Sequence, residues 1–189
     1  MRKRLFIGIP IPEEETRKLV EFQEHFGPIE GIRWQRPEKF HITVYFFGSV
    51  ATDMQPNLEE VIRVGLKNHS PFTLPYLSLK WAPKPKRPRM IWAQYQKEPA
   101  FMNLVADTSR WFKQIQPDHQ HHEKPIPHIT LARYRDPKTG QKTLPPQDQP
   151  LPILEMRTIH VKELIFWSSK NLEDSSGSVY FEERRFSLS

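Results

Sequence analysis

Apolar positions recur along this chain with two periods, near two and near 3.6 residues, and the switches between them outline its elements. Leu5 to Ile11 is an almost unbroken apolar run and predicts a buried strand. From Glu13 to Phe26 the period becomes helical, with Leu19, Phe22 and Phe26 on one face. Pro12 and the glutamates Glu13, Glu14 and Glu15 suit the start of that helix, and Gly27-Pro28 its end. Phe40 to Phe47 predicts a strand stopping at Gly48. A second helix fits Gln55 to Asn68, with Leu58, Val61, Ile62 and Leu66 aligned. Phe72 to Trp81 and Met90 to Tyr95 predict strands joined by a basic, Pro-rich loop. A third helix fits Pro99 to Ile115, turning Phe101, Leu104, Val105, Phe112 and Ile115 inward. A strand from Pro127 to Tyr134 follows a His-rich loop. Asp136 to Pro152 predicts a long surface loop, and Ile159 to Ser168 with Val179 to Phe186 predict a hairpin around Asn171 to Ser178.

Mixed elements with long connections predict an α+β fold. Two of the predicted strands carry the same tripeptide, His41-Ile42-Thr43 and His128-Ile129-Thr130. Strand residues two apart share a face, so each copy presents a His beside a Thr and turns its Ile away. The repetition predicts one domain over residues 1–189, built of two pseudo-symmetric lobes that face each other. Outside these motifs the halves are not visibly alike.

Two imidazoles and two hydroxyls around one cleft can handle a phosphate diester. Hydrolysis requires an activated water and a protonated leaving oxygen. Imidazoles with an ordinary pKa of ~6.5 can supply both near neutral pH, one as base and one as acid. Thr43 and Thr130 could bond the non-bridging oxygens as charge develops there. A 2′,3′-cyclic phosphate suits such a pair, which calls for no metal and no cofactor. The bland alternative is a pair of structural histidines in strands where Ile and Thr are simply favoured.

The net charge of +6 favours phosphate-bearing partners such as RNA or nucleotides, and equally serves solubility. The absence of Cys excludes disulfides, thiolate catalysis and Cys-zinc sites, and suits a reducing compartment. The start, Met1 to Ile7, resembles a signal peptide only until Pro10, Pro12 and the three glutamates interrupt it. With no apolar run long enough to span a bilayer, a cytoplasmic protein without membrane contact is expected.

The paired motifs, His41-Ile42-Thr43-Val44 and His128-Ile129-Thr130-Leu131, resemble those of the 2H phosphoesterases. Within that superfamily the chain resembles the RNA 2′,3′-cyclic phosphodiesterase branch, also called 2′-5′ RNA ligase-like. Leu5 to Pro12, Arg33-Trp34, Phe46-Phe47-Gly48 and Pro127 to Arg133 carry the likeness; Phe47 stands where the pattern often has Leu. The resemblance implies a bilobal α+β fold, with two antiparallel sheets lining a central cleft and helices outside. It implies metal-independent opening of RNA 2′,3′-cyclic phosphate ends, or of cyclic nucleotides, to a 2′-phosphate. His41 is then the general acid on the 3′-oxygen and His128 the general base, an order that sequence chemistry alone does not fix. It also implies that Arg133 reaches the phosphate. Arg133 is five residues after His128, so strict alternation would send it to the opposite face, and a bulge would reconcile the two. Alternatives are 2′-5′ phosphodiesterase or ligase activity, and a non-catalytic module that binds RNA ends. A monomer is expected, because one chain can complete the cleft.

By alternation Tyr45 and Phe47 share the His41 face, where Phe47 could stack on a base; Trp34 is a second aromatic candidate. Arg33 and Arg36 could meet RNA phosphates or simply be solvated. Lys80 to Arg89 is the densest basic run and either steers RNA or solubilises a hairpin. His119, His121, His122 and Glu123 lack a regular metal-ligand spacing, and His25, His69 and His160 stand alone as structural or surface residues.

Overall fold

A computed structural model of the chain describes residues 1–26, 30–84, 86–116, 125–135, 151–171 and 178–189. The His-rich cluster at 119–123 and most of the loop from 136 lie outside the described residues.

Ten strands and three helices alternate along the described chain. They are β1 (Arg2–Pro10), α1 (Glu13–Phe26), β2 (Ile32–Trp34), β3 (His41–Ala51), α2 (Gln55–Gly65), β4 (Phe72–Leu74) and β5 (Tyr76–Ala82). Then come β6 (Met90–Tyr95), α3 (Pro99–Ile115), β7 (His128–Tyr134), β8 (Ile159–Val161), β9 (Glu163–Asn171) and β10 (Ser178–Ser187). The main sheet is antiparallel, in the order β10-β9-β1-β3-β7-β6-β5, with β2 on the far part of β7; β4 and β8 form a small second sheet.

The two halves of the main sheet meet at one pair. β3 and β7 are bridged only at Ile42 and Ile129, both fully buried. Each is the central residue of a His-Ile-Thr motif. Antiparallel register about that pair sets His41 toward Thr130 and Thr43 toward His128 on the opposite face. The two halves of the main sheet are therefore joined under the motifs themselves.

The helices cover the other face. α3 buries Phe101, Leu104, Val105 and Phe112, and the Phe112 ring meets Phe47 at 5.0 Å and Tyr45 at 6.1 Å. α1 buries Leu19 and Phe22, whose ring meets Trp34 edge-on. Glu15, expected to serve only the helix start, is also buried. It accepts bonds from the Arg157 N–H and the Lys18 ammonium, tying the 151–158 segment to α1.

Several boundaries differ from expectation for local reasons. The run from Phe72 breaks at Pro75, which has no N–H for a ladder, and β4 and β5 enter different sheets. The run from Ile159 divides at Lys162, with β8 on β4 and β9 on β1 and β10. The second helix ends at Gly65 in a 3₁₀ turn, Leu66–Asn68. β3 continues beyond Gly48, which takes φ 74° and carries the strand through a register shift.

Candidate active site

Both motif histidines are seated by the backbone just before their strands. The Nδ1 of His41 lies 2.8 Å from the carbonyl of Lys39, and the Nδ1 of His128 lies 2.7 Å from that of Ile126. A carbonyl only accepts, so Nδ1 carries the proton in both neutral rings and Nε2 is left for chemistry. In each case the carbonyl belongs to the residue two before the His. Thr43 Oγ1 lies 3.0 Å from Nε2 of His41.

His41, Thr43, His128 and Thr130 line one cleft of ≈ 550 Å³. Its cations are Arg4, Lys39 and Arg133, and among the described residues no carboxylate lines it. Burial, the largest cause, pushes the pKa of each imidazole down from the ordinary 6.5 to about 4. The Arg133 guanidinium adds to the depression of both, His128 lowers His41 further, and the two carbonyl bonds oppose it. The free rings are therefore neutral at pH 7, in a cleft whose charge attracts anions.

Aromatic walls distinguish the histidines. Trp92 stacks on His128 with ring centres 3.8 Å apart and planes 23° apart. Its buried Nε1 has no hydrogen-bond partner among the described residues, so the indole is placed for its face. His41 instead contacts Phe6 at 4.9 Å, Trp167 at 5.4 Å and Tyr180 at 5.5 Å. Trp167 reaches His41 across Gly8. A Cβ there would stand 2.6 Å from the Ile42 carbonyl oxygen and 3.2 Å from the Trp167 ring.

Two site expectations turn on bulges. On β3, Ile7 pairs with Tyr45 but Gly8 with Thr43, so Val44 is an extra residue and both Val44 and Tyr45 point into the core. The expected placing of Tyr45 and Phe47 on the His41 face is thereby corrected. Phe47 is 1% exposed and packs on Phe112, whereas its neighbour Phe46 is 41% exposed in the cleft, with the Arg4 guanidinium 5.5 Å from its ring centre. On β7 the extra residue is Leu131: Ile91 pairs with Ala132 and Trp92 with Thr130. That bulge returns Arg133 to the cleft, where its guanidinium contacts Met90 Sδ at 3.3 Å. Phe46 and Arg133 thus occupy matching places, each five residues after its histidine. Sequence reasoning missed Phe46. The available signal was two adjacent apolar residues after each motif Thr, Val44-Tyr45 and Leu131-Ala132.

The lone histidines are elsewhere. His25 bonds the Glu21 carbonyl, His69 lies 3.1 Å from Asp107, and His160 is exposed. Among the described residues no cluster of His, Asp and Glu could hold a metal ion, and no helix is long and apolar enough to cross a membrane.

Residues 9–92 match the family model of the LigT-like phosphoesterases. The RNA 2′,3′-cyclic phosphodiesterase of Methanothermobacter thermautotrophicus is 23% identical over 145 residues, covering 75% of this chain and 77% of its own. The protein of the same name from Methanocaldococcus jannaschii is 28% identical over 137 residues, covering 70% and 72%. The fold is that of TT0787 from Thermus thermophilus, with TM-score 0.82, 24% identity and coverage of 98% and 97%. It is also that of E. coli LigT complexed with 3′-AMP, with TM-score 0.76, 20% identity and coverage of 100% and 99%. The first motif lies inside the matched region and the second repeats it on the adjoining strand; over residues 9–92 the chain is similar to the LigT-like phosphoesterases, and its whole fold is that of these two structures.

Proposed function

We propose that this protein hydrolyses 2′,3′-cyclic phosphate ends of RNA to 2′-phosphates, with His128 as general base and His41 as general acid. The observation that carries the reading is the matched seating of two imidazoles in one anion-attracting cleft, each with Nδ1–H held by a carbonyl. Relatives named for this activity support the substrate.

In the step, Nε2 of His128 takes a proton from water as its oxygen bonds to phosphorus. The bond from phosphorus to O3′ breaks, and Nε2–H of His41 protonates the departing oxygen. Both transfers are made by the chain's own groups. Thr43 Oγ1 can accept from the protonated His41 ring while it waits, which favours His41 as the acid. Thr43 and Thr130 bond the non-bridging oxygens, Arg133 balances their charge, and Phe46 takes the base-stacking role expected of Phe47. The repeated motif reads as two pseudo-symmetric lobes of one unit that works as a monomer in the cytoplasm.

The test is incubation with cyclic-phosphate-ended RNA in EDTA, read by phosphorus NMR. A 2′-phosphate is the expected product. A 3′-phosphate would keep the phosphodiesterase and overturn cleavage at O3′, and no product from folded protein would refute the activity. Replacing either His by Ala should lower turnover by about 10²–10⁴; unchanged turnover in both variants would sink the mechanism.

A further inference from the structure

Beside the cleft lies a second cavity of ≈ 400 Å³ that the proposed chemistry leaves unused. It forms where β2, the start of β6 and the end of β7 converge. Among the described residues its charged lining consists of Arg33, Arg36, Lys39, Arg89, Arg133 and Arg135, with no carboxylate. Arg36 lies 3.9 Å from Glu38, and both side chains are largely exposed. Arg33 and Arg133 stand directly opposite each other in the β2–β7 register. That register concentrates positive charge on one wall of the cavity. Trp34 and Tyr134 add aromatic surface, with Trp34 held from below by Phe22 and Phe26. Lys39, Met90, Gln35 and Arg133 line both cavities, so the two are continuous.

We infer that this second cavity binds the single-stranded RNA that lies 5′ of the reacting nucleotide. The inference rests on the proposed phosphodiesterase reading. A cyclic phosphate occupies both O2′ and O3′ of the last nucleotide, so the rest of the chain leaves only through its 5′ side. The strand then meets the adjoining cavity, whose guanidiniums take phosphodiester oxygens and whose aromatic rings take a base. Cations interleaved with aromatics suit single strands of any sequence.

The experiment compares kcat/KM for a 2′,3′-cyclic mononucleotide with that for cyclic-ended di- and tetranucleotides. It uses the wild type and the triple variant Arg36→Ala, Arg89→Ala, Arg135→Ala, whose side chains are exposed and lie outside the reacting cleft. The wild type should prefer the tetranucleotide by about tenfold or more, and the variant should lose that preference with mononucleotide kinetics unchanged. In the wild type, log KM for the tetranucleotide should climb with log salt more steeply than for the mononucleotide, by about 0.7 for each phosphate held. Equal preference and equal salt slopes for all lengths would overturn the subsite and leave the phosphodiesterase standing. An equal fall in mononucleotide turnover would assign these arginines to the reacting site and overturn it too. Should the wild type turn over no cyclic-ended substrate, the parent reading fails. Anisotropy with a 3′-hydroxyl tetranucleotide then reads the cavity alone: about tenfold weaker binding by the variant supports it, and equal affinity overturns it.

Discussion

The depressed pKa of the two imidazoles poses a quantitative problem that substrate must solve. With His41 and His128 both near 4, the free protein at pH 7 holds the acid of the proposed mechanism protonated in only about one molecule per thousand. A phosphodiester brings one negative charge into contact with the ring. At ~4 Å and an effective dielectric constant of ~20, that attraction is about 4 kcal/mol, equivalent to about three pH units. It would raise the His41 pKa from about 4 to about 7, so the acid becomes charged only once an anion is in place. The perturbation is a saturating inert monoanion, dimethyl phosphate, and the assay is an NMR titration of the imidazole resonances with and without it. Without the anion both rings should titrate well below 6.5; with it, one should move up by roughly two to three pH units, and His41→Asn should abolish that response. A ring already titrating near 6.5 in the free protein, or an anion that moves neither ring, would refute the reasoning.

Stability should follow the same groups. Because folding lowers both His pKa values, the unfolded chain binds more protons between pH 6.5 and 4, so stability is full above that window and falls as pH drops through it. The fall in Tm from pH 7 to 4.5 should be smaller in a His41→Asn, His128→Asn double variant. Phe47→Ala should cost about 3–5 kcal/mol in denaturant unfolding, whereas Phe46→Ala should change stability by less than ~0.5 kcal/mol and raise KM; the reverse pattern would restore the unbulged register. Gly8→Ala should destabilise by about 1–3 kcal/mol and lower kcat, because its Cβ meets the Ile42 carbonyl and pushes on Trp167; wild-type stability and kcat would contradict that packing.

The parts of the fold visible in the sequence were those written in local period: the three helices, the buried β1 and the two motif strands. The paired histidines were visible because the same three residues occur twice in strand-like surroundings. Alternation failed where a residue was inserted. One extra residue reverses every later side chain, so Val44 carried Tyr45 and Phe47 into the core and brought Phe46 out, while Leu131 brought Arg133 in. β2 is three residues long, and Ile32 to Trp34 offers too little period to register. The bridge between Ile42 and Ile129 depends on residues far apart in the chain, and no local pattern encodes such a pairing.

That bridge has a consequence for how the proposed mechanism tells its two histidines apart. An antiparallel pair has a local two-fold axis, so the backbone presents the imidazoles as near equivalents, each tethered two residues upstream and flanked by a threonine. Division of labour must then be written in the upholstery: one indole flat against His128, and a cage of Phe6, Trp167 and Tyr180 around His41. Exchanging donor and acceptor of the proton would call for re-dressing these walls, with the histidines themselves left untouched.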